Sequence, residues 1–228
     1  MKITVVHGQN HKGSTYHITK MLTDQIGGTV HEFFLPDAFG SFCTGCSQCF
    51  EVSETRCPHY RQLAPVTTAL READVIILES PVYVYHCTGP MKAFLEHYGY
   101  QWMVHRPDPS MFSKQGICLS TAAGAGTKST CKDMADSLFF WGVGRIETVG
   151  FSLHALRWSQ VSETQKRTIE QRMHRLAARV RTHQGRVHLS IKTKAFFRLM
   201  RKLHRRGFNG VDDQYWKTQG WLNGQLPW

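Results

Sequence analysis

Residues 73–97 read "ADVIILESPVYVYHCTGPMKAFLEH". Val75, Ile76, Ile77 and Leu78 form an unbroken apolar run, the pattern of a strand covered on both faces of its sheet. The run ends at Pro81, with Tyr83 and Tyr85 just beyond, and Met91, Phe94, Leu95 and Tyr98 then repeat at helical spacing. Strand, loop and helix follow one another as in a βαβ unit. Outward from this stretch, strands are expected at residues 2–7, 29–35, 74–80, 116–121 and 146–153. Helical periodicity fills the gaps: Ile18, Met21, Leu22 and Ile26; residues 61–72; residues 128–141; and Ile169, Met173, Leu176, Ala177 and Val180. This alternation predicts an α/β fold, an open five-stranded parallel sheet with helices on both faces. No internal repeat or low-complexity segment interrupts it.

The chain of 228 residues suits one domain with an appendage. We expect a domain over residues 1–185 and an extension over 186–228. Charge divides the same way: residues 1–150 carry 12 Lys and Arg against 13 Asp and Glu, while residues 151–228 carry 16 against 4. The net charge of +11 therefore belongs to the C-terminal third and says nothing about chemistry in the rest. No apolar run approaches the roughly 18 residues of a membrane span. The sequence opens on a strand pattern rather than a charged-then-apolar leader, so a cytoplasmic protein is expected.

In open parallel sheets, ligands bind outside the carboxyl ends of the strands, which directs attention to residues 8–15, 81–88 and 121–127. Residues 7–18, "HGQNHKGSTYHI", nearly spell a nucleotide-triphosphate loop: Gly8, four residues, then Gly13. The Lys such a loop needs next is Ser14 here. A helix N-terminus with small and hydroxyl residues still favours an anion, and a phosphate monoester fits better than a triphosphate. The plain alternative is a tight turn capped by Ser14 or Thr15. In the second loop, Pro81, Tyr83 and Tyr85 supply a flat wall for a planar ring, against ordinary strand-end packing. The third, "TAAGAGT" at 121–127, is nearly free of side chains, so backbone can approach a bulky ligand closely.

Together, "VVHGQNHKGSTYHITKML", "CTGCSQC", "ADVIILESPVYVYHCTGPMKAFLEH" and the closing "YWKTQGWL" make the chain similar to the flavodoxin-like NAD(P)H-dependent FMN reductases, especially the branch with the iron–sulfur flavoproteins. The resemblance covers residues 1 to about 150 well and the tail more loosely. It implies a flavodoxin-like doubly wound fold and FMN as cofactor. The 5′-phosphate would lie on Gln9, His11, Gly13, Ser14 and Thr15. The isoalloxazine would rest against Pro81, Val82, Tyr83, Val84 and Tyr85, with Thr121, Ala122, Ala123, Gly124 and Gly126 closing the other side. Where the family often reads Ser-Pro-Arg, this chain has Gln9-Asn10-His11, which removes a fixed cation and shifts weight to Lys12. The implied activity is an FMN-dependent oxidoreductase taking hydride from NAD(P)H and passing electrons to a quinone, flavin, metal or protein acceptor. Because the flavin carries the chemistry, no side chain is expected as an indispensable acid or base. The alternative is a non-enzymatic flavin or iron–sulfur electron carrier.

Four of the seven cysteines form the run Cys43-x2-Cys46-x2-Cys49-x7-Cys57-Pro58. Without a secretion signal, such a cluster reads as metal, cluster or redox chemistry. Steps of three ending in Cys-Pro suit a cubane cluster, and related iron–sulfur flavoproteins hold a [4Fe–4S] cluster on a compact motif. Zinc sites usually pair two separated knuckles. A cluster on Cys43, Cys46, Cys49 and Cys57, thiols acting structurally or in redox chemistry, and zinc all stay open. Cys87, Cys118 and Cys131 read as small core or loop residues. The thirteen histidines show no metal-ligand spacing, and nearly all read as solvated or packing residues.

Residues 190–208, "SIKTKAFFRLMRKLHRRGF", place Phe196, Leu199, Met200 and Leu203 on one helical face and Lys194, Arg198, Arg201, Lys202, Arg205 and Arg206 on the other. Packing of the apolar face is expected, ahead of an anionic membrane surface or nucleic acid, for which no binding motif appears. The basic face is also a candidate for attracting the phosphates of NADPH. Tyr215, Trp216, Trp221 and Trp228 crowd the tail and need burial elsewhere. The family resemblance points to a homodimer or tetramer, so contacts of residues 190–228 across subunits are expected, with packing on their own domain as the alternative.

Overall fold

The computed structural model describes residues 1–228. Five strands, β1 (Lys2–His7), β2 (Thr29–Phe34), β3 (Val75–Pro81), β4 (Gln115–Ala122) and β5 (Arg145–Ser152), form one parallel sheet. Their order is β2-β1-β3-β4-β5, with the winding reversing beside β1. Crossovers are made by α1 (Ser14–Ile26), the short α2 (Gln48–Glu51) with α3 (Tyr60–Glu72), α4 (Gly89–Glu96) and α5 (Thr127–Phe140). Three more helices follow: α6 (Glu163–Thr182), α7 (Ile191–His204) and α8 (Gly210–Thr218).

The apolar run of β3 is where the sequence places it: Val75, Ile76, Ile77 and Leu78 are fully buried in mid-sheet. On one face Ile18, Leu22 and Ile26 of α1 pack with Ile169, Met173 and Leu176 of α6. On the other, Leu63 and Val66 of α3, Phe94 of α4, and Met134 and Leu138 of α5 form the larger core. Each such side chain contributes about 1.5–3 kcal/mol by leaving water. β3 and β4 run slightly past their expected ends because Pro81 pairs with Thr121 and the Val82 amide donates to the Thr121 carbonyl at 2.8 Å. The second and third loops therefore leave the sheet side by side.

The C-terminal extension corrects one expectation. Two of its rings, Trp216 and Trp221, pack with Met103, Phe112, Phe197 and Met200 in a third core, while Tyr215 is half-buried and Trp228 stays 37% exposed. α7 buries Thr193, Phe197, Met200 and His204, with Phe196 and Leu203 half-buried against the same core, so of the expected apolar face Leu199 turns outward and Phe197 takes the central place. Phe197 stacks on Trp216 at 4.8 Å and meets Phe112 edge-on at 5.5 Å, which turns the helix toward that ring and leaves Leu199 57% exposed. Part of the basic face is used internally: Arg201 donates to the Gln225 carbonyl at 2.9 Å, and Arg205 to that of Leu222. No helix is long and apolar enough to cross a membrane.

Denaturant titration of two α7 variants checks this packing. Phe197→Ala should cost about 3–5 kcal/mol, and Leu199→Ala should stay within about 0.5 kcal/mol. The reverse order would restore the face read from the sequence.

Candidate functional site

The three loops meet at the carboxyl end of β1, β3 and β4. Gly8 joins the first to the second. Its amide donates to the Glu79 carbonyl at 2.7 Å, and its carbonyl accepts from the Thr88 hydroxyl. A Cβ at Gly8 would stand 2.9 Å from the Glu79 carbonyl oxygen, so only glycine permits this approach. Thr88 in turn caps α4, accepting from the Met91 amide at 3.2 Å.

At the start of α1 the N-cap is Gly13, and no side chain caps the helix. The amides of its first turn thus lack side-chain acceptors and face outward as anion donors. His11 Nε2 and Gln9 Nε2 converge on this end, 3.1 and 3.3 Å from where a Cβ on Gly13 would lie. Gln9 Oε1 accepts from the Tyr83 hydroxyl at 3.0 Å, which leaves the Gln9 amide group to donate. Lys12 is exposed, its ammonium 5.2 Å above the Tyr16 ring. Ser14 is partly exposed at the first helical position, whereas Thr15 is buried. The Thr15 hydroxyl bonds Thr121 at 2.7 Å, so it joins the first loop to the third.

The second loop is a tight reversal. Tyr83 and His86 exchange two backbone hydrogen bonds of 3.0 Å, and Val84 and Tyr85 between them have φ of 49° and 64°. Left-handed conformation is a genuine outlier for a β-branched residue, and such strain persists only where the surroundings enforce it. Here the third loop and α5 do so. Ser129 donates to the Tyr85 carbonyl, and a Cβ on Gly126 would meet Val82 at 2.7 Å. His86 and the Cys87 amide both bond Asp133, at 3.0 and 3.1 Å. The strained tip points to solvent, with Val84 93% exposed and Tyr83 and Tyr85 exposed beside it. Pro81 and Val82 are half-buried below. Thr121 and Ala122 are buried strand residues, while Ala123 and Gly124 are exposed and Gly126 half-buried.

Sequence reasoning missed what lies beneath. His7 is buried between two carboxylates, Nδ1 to Glu79 at 2.7 Å and Nε2 to Glu32 at 3.0 Å. The second Glu79 oxygen is buried without a partner. Burial pushes the Glu79 carboxyl up, with the His7 hydrogen bond acting against it. The available signal was a charged or titratable residue ending each of two otherwise apolar strands. His154 was also missed: its φ is 52°, and its amide bonds the Ala123 carbonyl at 2.9 Å, setting it beside the third loop.

The clustered cysteines lie elsewhere. Cys43, Cys46, Cys49 and Cys57 line one small pocket together with His59 and His97. Cys43 and Cys46 are exposed, Cys49 and Cys57 half-buried, and all are free thiols. Burial pushes the Cys49 thiol up. Cys87 is pushed up to about 12 by burial, then by Asp133, which makes it an inert thiol. Cys118 and Cys131 are buried core residues.

Comparison with known proteins gives this geometry a family. The model of the family described as NADPH-dependent FMN reductase matches residues 1–155. The chain belongs to that family. An iron-sulfur flavoprotein of Archaeoglobus fulgidus is 30% identical over 118 residues, 50% of each chain, so the chain spans about half the length of the curated relative it matches. A solved flavone reductase superposes with a TM-score of 0.58 at 15% identity, over 83% of this chain and 66% of its own. An NADH:FMN oxidoreductase in its apo form gives 0.56 at 14%, over 86% and 98%. An azoreductase from Bacillus anthracis also gives 0.56 at 14%, over 79% and 98%. At these identities the structural matches establish the flavodoxin-like fold.

The Glu79 environment yields a pH prediction. A carboxyl whose folded pKa is raised keeps its proton where the unfolded chain has lost it. Its contribution to stability is full below the ordinary carboxylate range and is lost as pH rises through the raised value. Urea unfolding at mildly acidic and mildly alkaline pH should show Glu79→Gln flattening this fall. Glu79→Ala, leaving His7 Nδ1 unpaired, should cost about 1–3 kcal/mol. Identical pH slopes in wild type and Glu79→Gln would show that Glu79 does not titrate differently on folding.

Proposed function

We propose that this chain is an FMN-dependent oxidoreductase that uses NAD(P)H as co-substrate and reduces a second, flat acceptor such as a quinone or free flavin. The observation that carries this reading is the meeting of an uncapped helix N-terminus, bearing Gln9 and His11 as extra donors, with a strained aromatic turn and a nearly side-chain-free loop. The residues fit FMN: anion donors at one end, apolar and aromatic walls at the other.

Bound there, FMN supplies a ring that takes a hydride from NAD(P)H and passes the electrons on. The protein binds and orients. Backbone amides at Gly13, Ser14 and Thr15, with Gln9 and His11, would hold the phosphate, and Lys12 adds a mobile cation in place of the Arg seen in the family. Tyr83, fixed by its bond to Gln9, couples the phosphate end to the ring end. Val84 and Tyr85 offer apolar surface, and Ala122, Ala123 and Gly124 leave room for the ring on the opposite side. The loops enclose no lid, so an acceptor can approach from solvent. No residue here needs to transfer a proton to the reacting centre.

FMN titration of the purified chain should give one yellow, reducible flavin per chain, and NAD(P)H oxidation should depend on it. Tight adenine-nucleotide binding without flavin affinity would refute the reading, and flavin binding with negligible NAD(P)H turnover would favour an electron carrier. Gly13→Ala is compatible with the local φ of −83°, but its Cβ displaces His11 and Gln9. It should weaken FMN binding by about ten- to a hundredfold, the loss of one or two charge-assisted hydrogen bonds, while leaving the melting temperature near wild type.

A further inference from the structure

One side-chain cluster takes no part in the flavin site. Cys57, His59 and His97 present Sγ and ring-nitrogen donors that all lie within 4.8 Å of one another. Donors in a tetrahedral set stand about 2.0–2.3 Å from a zinc-type ion and so about 3.3–3.8 Å from one another. The observed donors need to close by about 1 Å at most to reach that spacing.

The hydrogen bonds orient the donors. His97 Nδ1 lies 2.7 Å from the Ala93 carbonyl, which only accepts, so Nδ1 carries the proton and Nε2 keeps its lone pair. That Nε2 faces His59 Nδ1 at 2.9 Å, and the two ring nitrogens converge beside a thiol. An imidazole whose other nitrogen is tied to a carbonyl is the usual state of a metal-ligating histidine. Phe39 fixes the rings, meeting His97 edge-on at 4.7 Å. The pocket around them, about 70 Å³, is also lined by Cys43, Cys46 and Cys49. It has room for an ion and a few waters. Glu96 borders it, but its carboxylate is held by Lys92 at 2.9 Å.

We propose that Cys57, His59 and His97 bind one divalent ion of the zinc class, with a thiolate of the Cys43–Cys49 segment in the fourth position. Mixed sulfur and imidazole donors in a tetrahedral set suit zinc. A cubane cluster instead takes four thiolates; Cys43, Cys46 and Cys49 line the same pocket, but the donors gathered tightly around Cys57 are the two imidazoles. On binding, Cys57 and the fourth thiol each release a proton to solvent. His59 moves its proton from Nδ1 to Nε2, so both imidazoles stay neutral, and two thiolates match the charge of the ion. The two nitrogens spread from 2.9 Å to about 3.3 Å, the separation of tetrahedral ligands at zinc–nitrogen distance. Nothing is oxidised or reduced. The ion would staple the excursion between β2 and α3, which is irregular over residues 40–47, to the carboxyl end of α4. The amino end of that helix holds Gly8 through Thr88.

The test is metal and sulfide analysis of the purified full chain, followed by titration of metal-free protein with zinc(II) and with cobalt(II) as a spectroscopic probe. One zinc per chain without acid-labile sulfide is expected, and cobalt should give the visible bands of a tetrahedral, thiolate-ligated ion. Cys57→Ser and His97→Gln should each weaken zinc binding about tenfold or more, and chelator should lower the melting temperature of wild type but not of His97→Gln. His31→Gln, at an exposed position on β2, should change none of these. Should His97→Gln fail to fold, judged by circular dichroism, the half-buried His59→Gln serves in its place. Stoichiometric iron and sulfide, zinc affinity unchanged by His59→Gln, or no binding of either added ion would each overturn the proposal. None of these readouts depends on flavin binding or turnover, so this inference and the flavin reading fail separately.

Discussion

The site depends on how closely β1 approaches β3 at Gly8. The amide of Gly8 reaches the Glu79 carbonyl, its carbonyl accepts from Thr88, and the space for a Cβ is already filled by Glu79. That contact sets the loop before α1 against the loop before α4. Because Pro81 pairs with Thr121, it also brings in the loop after β4. Each loop has unremarkable backbone needs alone. Held together, they put an uncapped helix N-terminus a short distance from an aromatic turn, and Gln9 bridges the two through Tyr83.

The strain at Val84 and Tyr85 follows from the same arrangement. A hairpin turn with two left-handed residues is usually built from Asn and Gly, yet here it carries Val and Tyr. Ser129, Asp133 and Gly126 hold it from below, so α5 and the third loop stabilise a conformation that the turn residues themselves disfavour. The gain is a wall of apolar and aromatic surface that Asn and Gly would not supply. This is the usual relation between local strain and a binding surface.

What was legible in the sequence follows from which forces act locally. The strand at residues 75–78 and the helices over 61–72 and 128–141 declare themselves through periodicity, and the loops at their ends follow from parallel-sheet topology. The turn at 83–86 was invisible because Val and Tyr argue against left-handed backbone, and tertiary contacts override that preference. On α7, Met200 packs as the pattern expects, but Phe197 was missed and Leu199 placed inward, since Phe196 and Phe197 are chemically equal and only Trp216 and Phe112 single out Phe197. His97 reaches Cys57 and His59 across some forty residues, a pairing made by the packing of α3 and α4 that no spacing rule contains. His7 and Glu79 were readable as polar ends of apolar strands, but their partnership required the register of β1 against β3.

Hydrogen–deuterium exchange of the full chain with and without FMN addresses the central claim directly, because it reads the backbone amides assigned to the cofactor. The account predicts FMN-dependent protection confined to residues 9–15, 82–88 and 122–127, with the cysteine segment 43–57 unchanged. Protection absent from the start of α1, or concentrated at another surface, would contradict it.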